Sequence, residues 1–160
     1  MITSQKLSRE KKISHGFFNR YGGKSKGIYK SLNCGLGSKD KKSYVLKNLK
    51  IVKNKIGKKS KNIFLLQQIH SKKFVYIDNK LKHKKKIKAD AVITNQKKLP
   101  IGILTADCVP VLLFDNKKNM IAAIHAGWKG AFKGIIGNVI NFLTQKGCRS
   151  NNIIAAIGPC

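Results

Sequence analysis

Three side chains in this sequence can bind a metal ion or act in nucleophilic chemistry. Each stands at the end of a short apolar run: His70 after residues 63–69, Cys108 just after Thr105-Ala106-Asp107, and His125 after residues 121–124. Strand ends are where sheet proteins present side chains to a cleft. Taken singly, each has a plain structural alternative, a hydrogen-bonded core histidine or an inert packed thiol. Taken together, two imidazoles and one thiolate make a ligand set suited to zinc, and three protein ligands leave a fourth position open to water or substrate. The flanking segment His125-Ala126-Gly127-Trp128-Lys129-Gly130 offers a strand end, small residues and a helix start. In that layout backbone N–H groups can approach an anion, or the chain simply turns. Trp128 either stacks a flat ring or covers the core.

The elements that must position these groups are legible as periodicities. Residues 44–56 place Val45, Leu49, Val52 and Ile56 on one face of an amphipathic helix, with Asp40 as its cap or first-turn residue. Apolar, largely β-branched or aromatic runs at 63–69, 74–77, 91–94, 101–105, 109–114 and 121–125 read as strands. Asp115-Asn116-Lys117-Lys118-Asn119 is a turn signal, so the last two runs are expected to form an antiparallel hairpin. From Gly130 the period lengthens. Ala131, Ile135, Val139 and Leu143 form one row at i+4, and Phe132, Ile136 and Ile140 form an adjacent one, which predicts a single core-packed helix ending near Gly147. A last apolar strand at 153–157 precedes Gly158-Pro159-Cys160, and a buried-type strand with nothing after it makes the chain look incomplete at its C-terminus. The lysine-rich stretch 80–88 reads as an exposed loop, where the surrounding ammonium groups make His83 a poor metal ligand.

Composition narrows the classes. In 160 residues, 34 basic and 6 acidic side chains give a net charge of +28, yet 42% of residues are hydrophobic, enough for the core of one folded domain. No apolar run has the roughly 18–20 residues of a membrane span, and the first residues lack the apolar stretch of a secretory signal. The expectation is a cytoplasmic protein. Cys34, Cys108, Cys148 and Cys160 are scattered and contain no C-x-x-C pair, which points to reduced thiols rather than a disulfide framework. The positive charge raises the possibility of polyanion binding. Against sequence-specific nucleic-acid recognition, the only arginines are Arg9, Arg20 and Arg149, and lysine lacks the planar fork for bidentate readout.

A longer pattern joins these pieces. Gln68-Ile69-His70, Ala89-Asp90-Ala91-Val92-Ile93-Thr94, Leu104-Thr105-Ala106-Asp107-Cys108-Val109-Pro110-Val111, His125-Ala126-Gly127-Trp128-Lys129-Gly130 and Ile157-Gly158-Pro159-Cys160 resemble, in chain order, the motifs of the YfiH family. This is also called the laccase-domain or polyphenol oxidoreductase family. His15-Gly16-Phe17-Phe18-Asn19-Arg20-Tyr21-Gly22-Gly23 and Ser31-Leu32-Asn33-Cys34-Gly35 are similar to its opening pattern. Three departures stand out: Lys129 where arginine is usual, Leu49 after Asn48 where arginine is common, and a family pattern that continues beyond residue 160.

The resemblance implies an α/β (α+β) fold, a four-layer α/β/β/α sandwich with mixed sheets. On this reading residues 1–160 form a single YfiH-like domain, incomplete at the C-terminus. It also implies a zinc ion held by His70, Cys108 and His125, and phosphorolysis of adenosine, inosine, guanosine and methylthioadenosine, with adenosine deamination as a second activity. Purine nucleosides and phosphate are then the partners of a monomer or homodimer, with no specific nucleic acid and no membrane. Asp107, beside a ligand, is either the acid–base group that carries a proton to the purine or a supporting group. Arg20, isolated among lysines and followed by Gly22-Gly23, is the candidate phosphate binder together with Asn33. Copper can enter a zinc site of this kind because it binds such ligands more tightly. Multicopper phenol oxidation is not expected as the main activity, since His15, His70, His83 and His125 are too few for its copper centres. The alternatives are a metal-free hydrolase with Cys108 as nucleophile activated by His125 or His70, and a basic polyanion-binding module.

Overall fold

The computed structural model describes residues 1–78 and 87–160. His83 and most of the lysine-rich stretch lie outside the described residues. Among the described residues, seven strands and four α-helices occur in the order α1 (Gln5–Ser8), α2 (Lys42–Gly57), β1 (Phe64–Leu65), β2 (Phe74–Ile77), β3 (Ala91–Thr94), β4 (Ile101–Gly102), β5 (Val109–Asp115), β6 (Met120–Ala126), α3 (Trp128–Phe132), α4 (Ile135–Gln145) and β7 (Ile153–Ile157).

Five strands form a mixed sheet in the order β2-β3-β6-β5-β7, and β1 pairs with β4 in a second, two-stranded sheet. Within the larger sheet β2 and β3 are parallel, and every other pairing is antiparallel. The expected hairpin is present. β5 and β6 pair from Val109↔Ala126 to Asp115↔Met120, and the turn is fixed by the Asp115 carboxylate, which accepts the N–H groups of Lys117 and Lys118 at 2.9 and 2.7 Å.

Strand alternation divides the core between the two faces of this sheet. Ala91 and Ile93 of β3 and Ala122 and Ile124 of β6 pack with Ile135, Val139 and Leu143 of α4. Val92 and Ala123 point the other way, onto Leu66, Leu99 and the half-buried Phe64 and Ile101 of the small sheet. Leu7 of α1 joins Phe114 and Ala156 in a third cluster. The mixed α+β fold with two sheets is therefore as expected from the family resemblance.

Four local expectations are corrected. The helix predicted from Gly130 is broken: Gly134 takes a left-handed φ of 80°, separating α3 from α4. Ile135, Val139 and Leu143 are buried as predicted, whereas Ala131 is exposed and Phe132 is 89% exposed, because α3 leaves the axis of α4. The run 63–69 keeps only Phe64–Leu65 as strand, and 101–105 only Ile101–Gly102; both then leave the sheet to build the site. β7 is an edge strand with Ile157 73% exposed, not a buried one. Lys41, not Asp40, is the N-cap of α2; the Asp40 carboxylate takes the Lys41 N–H and the Asn33 amide instead. Hydrogen bonds from Ser25, Asn33 and Lys41, outweighing the cost of what burial it has, hold Asp40 below the usual carboxylate range.

The loop before α2 is pinned by a residue the periodicity did not single out. Asn48 is fully buried, accepts the Lys24 N–H at 2.7 Å and donates to Ser25 Oγ and to the carbonyls of Ser31 and Asn33. All of its amide atoms are satisfied, which is what makes a polar side chain tolerable there.

Candidate metal centre

The exits of β1 and β4 are tied by the Gln68 side chain, which donates to Leu104 O and accepts from Leu104 N, each at 2.7 Å. This two-bond clip brings the segment carrying His70 alongside the one carrying Cys108. Cys108 directly precedes β5, and His125 is the penultimate residue of the neighbouring β6, opposite Pro110. The hairpin register therefore delivers the second and third groups to the same end of the sheet.

The result is that His70, Cys108 and His125 converge, with one ligand atom from each lying within 4.8 Å of the others. Cys108 Sγ is 4.0 Å from His70 Nε2, and the two imidazoles meet edge to face with centroids 4.9 Å apart. His125 is buried, Cys108 half-buried and His70 exposed, so the group opens to solvent on the His70 side. Two ligands on one tetrahedral zinc, at about 2.1 Å from nitrogen and about 2.3 Å from sulfur, lie roughly 3.5 Å apart, and the His70–Cys108 pair is about 0.5 Å wider than that.

Gly127 supplies the test of fit. A Cβ there would lie 2.9 Å from His70 Cδ2, 3.2 Å from Cys108 Sγ and 3.4 Å from His125 Cε1. Backbone without a side chain borders all three groups at once, and a methyl there would crowd each of them. The donor set, two imidazoles and one thiol with an open side, suits zinc or copper better than magnesium or calcium. It is the one group of three or more His, Cys, Asp or Glu side chains with such spacing among the described residues.

Asp90 lies beneath the site. It is fully buried at the head of β3, whose first residue Ala91 pairs with Ile124, and this register sets Asp90 beside His125. Its Oδ1 is 2.9 Å from His125 Nδ1 and accepts from His70 N at 2.9 Å; its Oδ2 accepts from Ser71 N and Ser71 Oγ, both at 2.7 Å. Burial raises the carboxyl's pKa, but bonds from Ser71, His125 and the His70 backbone outweigh it and leave Asp90 below its ordinary range. In the sequence Asp90 stands within a family-like motif and carries no evident role of its own. The available signal was an acid placed between alanines at the start of an apolar strand, in a chain with only six acids.

The other candidates fall differently. Asp107 is exposed, with Oδ1 3.8 Å from Cys108 Sγ. Burial, then the Asp107 charge, raises the Cys108 thiol, which is the opposite of what a metal-free thiolate nucleophile requires. Arg20 is exposed and donates through Nε to Lys30 O, while Asn33 donates to Ser38 Oγ and Asp40 and accepts from Gly35 N. These bonds order the loop before α2, and none reaches the His–Cys–His group. Trp128 is 76% exposed with the Lys129 ammonium 5.9 Å from its ring centroid, so it does not cover the core. An open cleft of about 400 Å³ lined by Lys117, Lys118 and Arg149 shares no residue with the metal-type group. No helix among the described residues is long and apolar enough to cross a membrane.

Comparison with known proteins bears on the family and the fold. A protein from Corynebacterium glutamicum named purine nucleoside phosphorylase is 34% identical over 151 residues, covering 94% of this chain and 61% of that protein. A Rickettsia conorii protein of the same name is 38% identical over 123 residues, covering 74% and 50%. Among solved structures, Bacillus licheniformis YfiH superposes with a TM-score of 0.80 at 28% identity, over 88% of this chain and 56% of that one. The chain thus spans between half and about three-fifths of the length of these relatives. The sequence model of the family described as multi-copper polyphenol oxidoreductase laccase matches residues 14–160, and with a fold shared with YfiH the chain belongs to that family.

Proposed function

We propose that this chain carries the metal centre of a zinc-dependent purine nucleoside phosphorylase acting on adenosine, inosine, guanosine and methylthioadenosine. The observation that carries the proposal is the convergence of His70, Cys108 and His125 around Gly127, supported by relatives named purine nucleoside phosphorylase. Adenosine deamination, as a second activity of the same centre, is supported by the family resemblance. Multicopper oxidation would need further histidine-rich copper sites, and the described residues contain one group of this kind.

In phosphorolysis a phosphate oxygen bonds to C1′ of the nucleoside, the C1′–N9 bond breaks, and its electron pair leaves with the purine, which must be protonated. A bound zinc ion would supply Lewis-acid polarisation of a phosphate or water oxygen. His70, Cys108 and His125 would hold that ion, and the exposed side of His70 would leave substrate its approach. Asp107, exposed and next to Cys108, would carry a proton on its carboxylate to the purine nitrogen. Arg20 would offer its guanidinium to phosphate, with Asn33 as the second phosphate-binding group. The protein is proposed to work in the cytoplasm as a monomer or homodimer.

The test is release of free purine base from each nucleoside, with and without phosphate, alongside the metal content of the same preparation. Phosphate-dependent release that tracks zinc content is expected. Metal-free protein releasing base equally well, or base release without phosphate, would contradict the proposal.

A further inference from the structure

We propose that Asp90 is a positioning residue that presets both histidines before any metal arrives, fixing His125 with its proton on Nδ1 and clamping the backbone turn that carries His70. The proposal rests on reading His70, Cys108 and His125 as one ligand set, and it assigns to a buried group beneath that set the task of choosing which nitrogens face inward.

The geometry supports each half. Toward His125, Asp90 acts twice: its carbonyl accepts the His125 N–H at 2.7 Å, and its Oδ1 lies 2.9 Å from Nδ1. A carboxylate has no proton to donate, so Nδ1 must carry the hydrogen of that bond and Nε2 keeps the lone pair that a metal needs. Toward His70, the carboxylate accepts three successive backbone N–H groups, those of Ile69 at 3.1 Å, His70 at 2.9 Å and Ser71 at 2.7 Å, together with Ser71 Oγ at 2.7 Å. These N–H groups converge because His70 adopts a left-handed φ of 55°, a conformation uncommon for any residue other than glycine. The Asp90 N–H in turn donates to Lys73 O at 2.9 Å, closing the loop on the same strand start.

A neutral isostere cannot do this. An amide at position 90 offers one acceptor oxygen, and its NH₂ would face either the N–H and Oγ of Ser71 or the Nδ1–H of His125. Metal sites commonly orient a ligating histidine through a carboxylate on its other nitrogen. Here one carboxylate holds His125 through its ring and His70 through its main chain.

The experiment compares the parent with Asp90→Asn at pH 8, after metal removal with a chelator. Long-range ¹H–¹⁵N spectra of histidine-labelled protein report the His125 tautomer, and titration with zinc against a competing chelator reports affinity. The parent should show His125 with the proton on Nδ1. Asp90→Asn should lose that preference and bind zinc about 10- to 100-fold more weakly. A parent with the proton on Nε2, or an Asp90→Asn variant with unchanged tautomer and zinc affinity, overturns the proposal. Should the variant fail to fold, the parent spectrum alone decides, since a merely structural role for Asp90 does not dictate the tautomer. Should the parent bind no zinc, the ligand-set reading fails separately, and the spectrum still tests the hold of Asp90 on His125.

Discussion

Replacing Gly127 with alanine separates the metal site from the stability of the fold. Gly127 has φ −68° and ψ 156°, angles open to any L-residue, so the backbone needs no rearrangement. Loss of glycine's unfolded-state freedom should stabilise by about 0.4–1 kcal/mol, and alanine's poorer capping of α3 should cost a similar amount, leaving a net change within about 1 kcal/mol. The site fares worse. The new methyl would sit 2.9 Å from His70 Cδ2, whereas carbon atoms rest at about 3.5–4.0 Å, so the exposed imidazole must retreat by roughly 0.6 Å or more. Ligand distances tolerate only about 0.2 Å of misplacement. Zinc affinity should therefore fall by about 10- to 100-fold, or ~1.4–2.7 kcal/mol, comparable to the loss of a supporting group at other metal sites. Denaturant unfolding of the metal-free protein and competitive zinc titration measure the two effects. Unchanged zinc affinity in a variant of normal stability would refute the placement of the ion among these three side chains.

Ile135→Ala should cost about 2–5 kcal/mol by opening a cavity against β6, whereas Ala131→Asp, on the exposed α3, should stay within about 0.5 kcal/mol; equal effects in urea unfolding would restore a single continuous helix. Burial pushes the thiols of Cys34 and Cys148 up to about 11, with Asp115 adding to the effect at Cys148, so at pH 8 iodoacetamide should label the exposed Cys160 well before either. Mass mapping that found Cys34 labelled first would contradict this. Burial lowers the pKa of His15, whose Nε2 accepts the Ser4 N–H at 2.8 Å. The neutral ring's contribution is complete above its unfolded value of about 6.5 and is lost as pH falls through the lower folded value. The Ser4 amide nitrogen and the His15 ring should then titrate together, with a midpoint below 6.5; separate transitions or a higher midpoint would count against the bond.

How much of this was legible in the sequence varied with the kind of signal. β2, β3, β5, β6 and β7 are legible as apolar, largely β-branched or aromatic runs of strand length, and the β5–β6 hairpin from its turn residues, because both signals are local in the sequence. The three ligand candidates were found by residue type and position at strand ends. The break at Gly134 was hidden because apolar spacing continues at i+4 across it, although the glycine that permits the left-handed turn was visible. The early ends of β1 and β4 follow from the Gln68 clip to Leu104, a side-chain bond across 36 residues that no local pattern announces. Asp90 and Gly127 escaped for the same reason. Each acts by touching groups far apart in the chain, the carboxylate through hydrogen bonds and the glycine through the room it leaves.

The central claim is that His70, Cys108 and His125 share one metal ion, and metal analysis of the purified chain beside its His70→Ala, Cys108→Ala and His125→Ala variants tests it most directly. The account predicts zinc in the parent, with occupancy falling to a similar extent in all three variants, because two remaining ligands hold a hydrated ion weakly. Full zinc loading in Cys108→Ala would contradict it.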